Sequence, residues 1–147
     1  MYQIREVDGR DDEIADTLCD LHRLTFFDGA RIPDFEQGHW WMAFHQAEPI
    51  AFAGVVASTH AANAGYFCRV GVLAQHCGRG LQLRLTRALE ARSRRNGWSA
   101  IVSDSTDNVF SANNFIRGGY RLYQPESPWA WPHTLYWRKD LRAPRAD

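Results

Sequence analysis

The stretch Arg69-Val70-Gly71-Val72-Leu73-Ala74-Gln75-His76-Cys77-Gly78-Arg79-Gly80-Leu81-Gln82 decides how this chain is read. Its first half has the small and β-branched residues of a buried strand. Its second half runs into a segment that places Leu81, Leu85, Ala88 and Leu89 on one helical face. The loop Cys77 to Gln82 therefore lies at a helix N-terminus, where several backbone N–H groups have no intrahelical acceptor. Those donors and the helix dipole make an anion site. Glycines let the backbone approach an anion with no side chain in the way. A pyrophosphate suits this chemistry. The third glycine of a dinucleotide loop is missing, since Leu83 holds its place, and so is the Gly-Lys-Ser/Thr of a nucleoside-triphosphate loop. A glycine-rich turn that only caps a helix explains the loop as well.

The pattern can be followed outward in both directions. The helix after the loop ends at Asn96-Gly97, where glycine suits a left-handed cap. A strand follows over residues 98–103, then a short helix over 108–117 stopped by Gly118-Gly119. Strands over 120–124 and 135–138 complete the downstream half. Upstream, residues 2–7 alternate as a first strand. Residues 11–27 carry Ile14, Leu18, Leu21 and Thr25 at helical spacing, with acidic residues crowding the start. Residues 28–34 read as a loop or a short second helix. Strands are expected over 39–46, 50–59 and 65–73, the first two joined by a turn at Ala47-Glu48-Pro49. The sum is an α/β fold: a mixed, mostly antiparallel central sheet with helices on both faces. One domain over residues 1–147 is expected, with 141–147 a frayed tail.

Composition limits the function. The chain has 147 residues, 17 Lys plus Arg against 17 Asp plus Glu, and a formal net charge of zero, so no strong field draws it to nucleic acid or an anionic membrane. No apolar run approaches the ~20 residues that span a bilayer, and residues 1–6 do not read as a signal peptide. Cys19, Cys68 and Cys77 are an odd, unpaired set, which points to free thiols in a reducing, cytoplasmic setting and to no metal site. Four of the six tryptophans fall in two clusters, Trp40-Trp41 and Trp129-Trp131. Trp41 reads as core; Trp40 and Trp129 are open between core and pocket wall.

The quoted stretch resembles motif A of the GNAT acetyltransferases, in which a strand with a central valine runs into a glycine loop and then a long helix. About thirty residues on, that family often shows Asn, a short helix, and Gly-Phe or Gly-Tyr opening the next strand. Here these match Asn108, Ser111 to Ile116, and Gly119-Tyr120. The resemblance covers nearly the whole chain and implies a GNAT-like sheet, acetyl-CoA as co-substrate, and an amine as acceptor. It assigns the cofactor to the backbone of Val70, Val72 and Leu73, the loop Cys77, Gly78, Arg79, Gly80, Leu81 and Gln82, and to Asn108 and Ser111. The valine and leucine side chains are expected in the core, and Asn108 is equally read as a helix N-cap.

Three positions depart from the family. Cys77 stands where Gln or Arg is usual, Gln82 where Gly or Ala is usual, and Phe115 where a proton-donating tyrosine is usual. Ser111 is then the candidate proton donor. Some relatives use a glutamate base on the strand before the loop, but this strand has no carboxylate, so Asp104 is the candidate base. A turn role explains Asp104 as well. The region from Phe26 to Trp40, with Asp28, Asp34 and Glu36 against Arg31, reads as an acidic, aromatic rim suited to a cationic amine. A catalytically silent CoA-binding or interaction protein with the same fold is the alternative, and the assembly is open between monomer and homodimer.

Overall fold

The computed structural model describes residues 1–26 and 30–141. The expectations for Asp28 and for the tail beyond Leu141 lie outside the described residues. The elements run β1 (Tyr2–Val7), α1 (Asp12–Thr25), β2 (His39–His45), β3 (Glu48–Ala57), β4 (Ala64–Val72), α2 (Leu81–Arg95), β5 (Ala100–Ser105), α3 (Val109–Arg117), β6 (Arg121–Leu122) and β7 (Leu135–Asp140). The strands form one seven-stranded sheet in the order β1-β2-β3-β4-β5-β7-β6. Pairing is antiparallel for β1/β2, β2/β3, β5/β7 and β6/β7, and parallel for β4/β5. The mixed, mostly antiparallel sheet expected from the sequence is the one found.

Three local expectations need correction. The β2–β3 turn is Gln46-Ala47, with φ of 51° and 69°, and Pro49 already lies within β3. Two successive positive φ values make a tight turn whose twist suits a hairpin. Proline is tolerated there because the register shifts beside it, between Ala43 and Phe44. A single 3-10 turn, Ala74–His76, separates β4 from the glycine loop. The strand expected over 120–124 shrinks to Arg121–Leu122, while β7 extends to Asp140.

The chain divides into two compact units, Met1–Val56 with Cys68–Leu89, and Ala57–Phe67 with Glu90 onward. The core of the first is Leu18 and Leu21 from α1, Phe35, Trp40 and Met42 on β2, and Phe52 on β3. Asp11 caps α1, accepting from the N–H groups of Glu13 and Ile14 at 3.0 and 3.3 Å. Trp40 is core rather than pocket wall: it is 1% exposed, and its indole donates to Gln37 O at 2.8 Å. Its ring covers its register partner Gly54, where a Cβ would collide with the indole. Phe35 is buried as well, so these two aromatic residues of the expected rim are core; Asp34 and Glu36 are exposed.

In the second unit, Ile101 and Val102 of β5 are fully buried. Phe115 packs its ring against Phe67, Tyr120 and Trp137 at 5.9, 5.3 and 5.4 Å. Glu90 is buried and accepts from Tyr120 Oη at 2.9 Å and from Lys139 Nζ at 3.0 Å. Lys139 also donates to Gly118 O at 2.7 Å. A buried carboxylate persists only when paired and hydrogen-bonded in this way.

Candidate active site

The first unit holds the end of β4 and the glycine loop. Gly71 is buried, and a Cβ there would run into Thr25 and the ring of Phe52. That contact fixes how closely β4 lies on α1 and β3. Val70, Val72 and Leu73 are half-buried, not the core side chains expected from sequence, although Leu73 still packs against the core cluster. Their backbones differ too. Leu73 N–H donates to Ile50 O at 2.9 Å, so it is not the free donor that the family resemblance implied. Successive N–H groups of an extended strand alternate in direction, so those of Val70 and Val72 point away from β3. The parallel register with β5 covers only Ala64–Tyr66.

Next comes the loop. Gly78 and Gly80 have φ of 77° and 73°, and a Cβ at either would meet nothing within 4 Å. Glycine is therefore required by conformation, not by crowding. Arg84 N–H donates to Gly80 O at 3.1 Å, which makes Gly80 the start of the α2 ladder. The N–H groups of Leu81 and Leu83 precede that first bond and have no helical acceptor. Arg79 is exposed, and neither its backbone N–H nor its guanidinium has a hydrogen bond among the described residues. Cys77 is exposed, with its thiol turned back at 3.7 and 3.6 Å from Val72 O and Leu73 O. Gln82 is half-buried and its backbone carbonyl accepts from the Thr86 hydroxyl at 2.8 Å. This donor set fits a diphosphate: clustered backbone N–H groups, one free guanidinium, and open space at both glycines.

The second unit holds Asp104, Asn108 and Ser111. Asn108 is the N-cap of α3, and its Oδ1 accepts from Ser111 N–H at 3.0 Å. The Ser111 hydroxyl has no hydrogen bond among the described residues, so it is free to donate. Asp104 is joined instead to two residues that sequence reasoning did not link to it. Tyr66 Oη and Trp129 Nε1 donate to its Oδ2 at 2.6 and 2.8 Å. Trp129 stacks on His60 at 4.2 Å and meets Tyr136 at 4.5 Å. Nearby, burial raises the Tyr123 hydroxyl above its usual range, opposed by Arg138 and reinforced by Tyr136 and Asp104. Asp104 and Trp129 were each singled out in the sequence, but nothing there linked them to each other or to Tyr66, because the partners are 25 and 38 positions from Asp104. Phe115, in its nest of rings, offers no hydroxyl. Among the described residues no group of three or more His, Cys, Asp or Glu is placed to hold a metal, and no helix is long and apolar enough to cross a membrane.

Comparison with known proteins adds three findings. A family model described as "Acetyltransferase (GNAT) family" matches residues 2–120. No curated protein matches the chain by sequence. Solved structures share its fold. An aminoglycoside 6'-acetyltransferase type Ii superposes with a TM-score of 0.76 at 20% identity, covering 98% of this chain and 99% of its own. An aminoglycoside 6'-N-acetyltransferase complexed with coenzyme A gives 0.74 at 18% identity, covering 99% of each chain. An acetyltransferase of Bacillus subtilis in complex with CoA gives 0.74 at 13% identity, covering 97% of this chain and 100% of its own.

Proposed function

Because the chain belongs to the GNAT acetyltransferase family, we propose that it is an N-acetyltransferase, taking the acetyl group of acetyl-CoA and passing it to an amine. The observation that carries this reading is the loop at the start of α2, with Gly78 and Gly80 at positive φ, open space around both, and Arg79 without a hydrogen bond among the described residues. The N–H groups from Gly78 to Leu83 would hold the diphosphate of the co-substrate, and Arg79 would add a charged contact. Val70 and Val72 would supply backbone N–H donors to the acyl arm, while the N–H of Leu73 is spent on Ile50. Acetyl-CoA supplies a thioester carbonyl open to attack.

The chain must then handle two protons. An alkylamine is mostly protonated near neutral pH and attacks only after losing a proton. Asp104 is the proposed acceptor of that proton, directly or through water, at Oδ1, which receives no hydrogen bond among the described residues. Ser111 is the proposed donor to the leaving sulfur, since Phe115 has no proton to give. Asn108 would place Ser111 by capping α3. The protein that does this work is proposed to act in the cytoplasm.

Calorimetric titration of acetyl-CoA tests the reading, with Gly80→Asp as the disabling variant and Gly97→Asp as its control. Gly97 also has a positive φ, 79°, with nothing within 4 Å of its Cβ, so both substitutions carry similar backbone strain. Loss of binding in Gly80→Asp but not in Gly97→Asp is expected. No binding by the wild-type chain would favour the interaction-protein alternative.

A further inference from the structure

Arg69 stands on β4 directly before Val70, a proposed donor to the acyl arm. It shares a strand face with Gly71, which lies against Thr25 and Phe52. Arg69 is half-buried, and its guanidinium reaches the end of α1. There Nε donates to His22 Nε2 at 3.4 Å, Nη1 to Cys68 O at 2.7 Å and Nη2 to Arg31 O at 3.1 Å. The guanidinium also sits 5.7 Å from the centroid of the Phe26 ring, which stacks on His22 at 4.7 Å. Every one of these partners is neutral, since a His22 nitrogen that accepts carries no proton. No Asp or Glu forms an ion pair with Arg69 among the described residues. All of these residues belong to the first compact unit.

A guanidinium has five N–H donors. Three are used here, so one N–H remains on each of Nη1 and Nη2 among the described residues. A planar fork with a donor left on each arm suits the two oxygens of a carboxylate. A charge drawn partly out of water and met only by neutral acceptors is under-compensated, and an anion offsets part of that cost. The bonds to Cys68 and Arg31 and the Phe26 ring hold the fork before any ligand arrives, so little side-chain freedom is lost on binding. We propose that Arg69 binds a carboxylate of the acceptor, which makes the acceptor an amine that also carries a carboxylate. Consecutive Cα atoms lie ~3.8 Å apart, so a carboxylate on Arg69 is within a small molecule's length of a thioester held by Val70. The diphosphate of the co-substrate has its own donors, in the loop at the start of α2. The proposal rests on the acetyltransferase reading and narrows its acceptor.

The binding probe is n-butyrate, with n-butanol as its uncharged counterpart and dimethyl phosphate as a second monoanion. The readout is the Arg69 Nε–H resonance of the wild-type chain, assigned by its loss in Arg69→Lys. A saturable shift at millimolar butyrate is expected, and none with butanol. Equal shifts from butyrate and butanol, or no shift, would overturn the proposal; tighter binding of dimethyl phosphate would assign a phosphate and overturn the carboxylate. Turnover links the site to the acceptor. Glycine, β-alanine and 4-aminobutyrate are each compared with the n-alkylamine of equal length. At least one acid should exceed its alkylamine in kcat/KM by at least fivefold. Arg69→Met should lower kcat/KM for that acid at least fivefold, leave its alkylamine within about twofold, and keep acetyl-CoA affinity unchanged by calorimetry. An arginine that only straps the segment around Arg31 to β4 would lower both amines together, which would overturn the proposal, as would alkylamines preferred throughout or no turnover of any acid. Butyrate binding without acetyl-CoA binding would sink the acetyltransferase reading and leave a carboxylate site; acetyl-CoA binding without butyrate binding would sink this site alone.

Discussion

Position 71 has no room for a methyl group, because a Cβ there runs into Thr25 and Phe52. Thr25 is also held, its hydroxyl donating to Leu21 O at 2.7 Å, so it cannot simply turn aside. Gly71→Ala should therefore destabilise the protein by about 1–3 kcal/mol, the usual cost of overpacking. A lowered urea midpoint with unchanged slope would be the sign. The cysteines differ in the same residue-by-residue way. Cys68 packs against the core with its thiol donating to Gly54 O at 3.3 Å, and burial pushes that thiol up to about 12. Cys77 is exposed. Since the thiolate is the reactive form, iodoacetamide at pH 8 should alkylate Cys77 and leave Cys68 intact until the protein is unfolded, as peptide mass mapping would show.

At the scale of elements, the helices were the most legible part of the sequence. Acidic residues at the start of an apolar stripe announced α1, and Asn108 was legible as the cap of α3; Asn108 does cap, and Asp11, counted from sequence inside the helix, is the cap of α1. Asp11 satisfies two N–H groups at once, so Asp11→Ala should cost about 1 kcal/mol, seen as a lower thermal midpoint. The glycine loop was legible for the same reason: its logic is local, being only the start of a helix. Strand ends were harder, because they depend on pairing partners far away in the chain. Gln46 and Ala47 carry no turn signature, yet the β2 and β3 registers force a two-residue turn on them. The Asp104 cluster was illegible, since Tyr66, Asp104 and Trp129 come from three separate stretches. Trp40 and Trp129 looked alike in sequence, and only their partners, Gly54 for one and Asp104 for the other, set core apart from site.

Stability belongs to the whole molecule, and alkaline pH should expose two buried groups. Tyr120 is raised well above 10.0, first by burial and then by Glu90, to which its hydroxyl donates. Cys68 is raised from 9.0 to about 12, mainly by burial. The sign is the same for both. Below the unfolded values the two states hold equal protons and stability is unaffected. Above them the unfolded chain loses protons that the folded chain keeps, so stability falls as pH rises. The decline should begin near pH 9 with Cys68 and steepen past pH 10 with Tyr120. Cys68→Ala should remove the first part and Tyr120→Phe the second, in urea titrations repeated across pH 8 to 11. Lys139 sets a larger effect. Its Nζ is the ion-pair partner of Glu90, so among the described residues Lys139→Met leaves a buried carboxylate with the Tyr120 hydroxyl alone. A loss of about 3–5 kcal/mol is expected. Glu90→Gln in the Lys139→Met background should recover part of it, because the amide carries no charge to strand. If it recovers nothing, the ion pair is not what holds Glu90 in the interior.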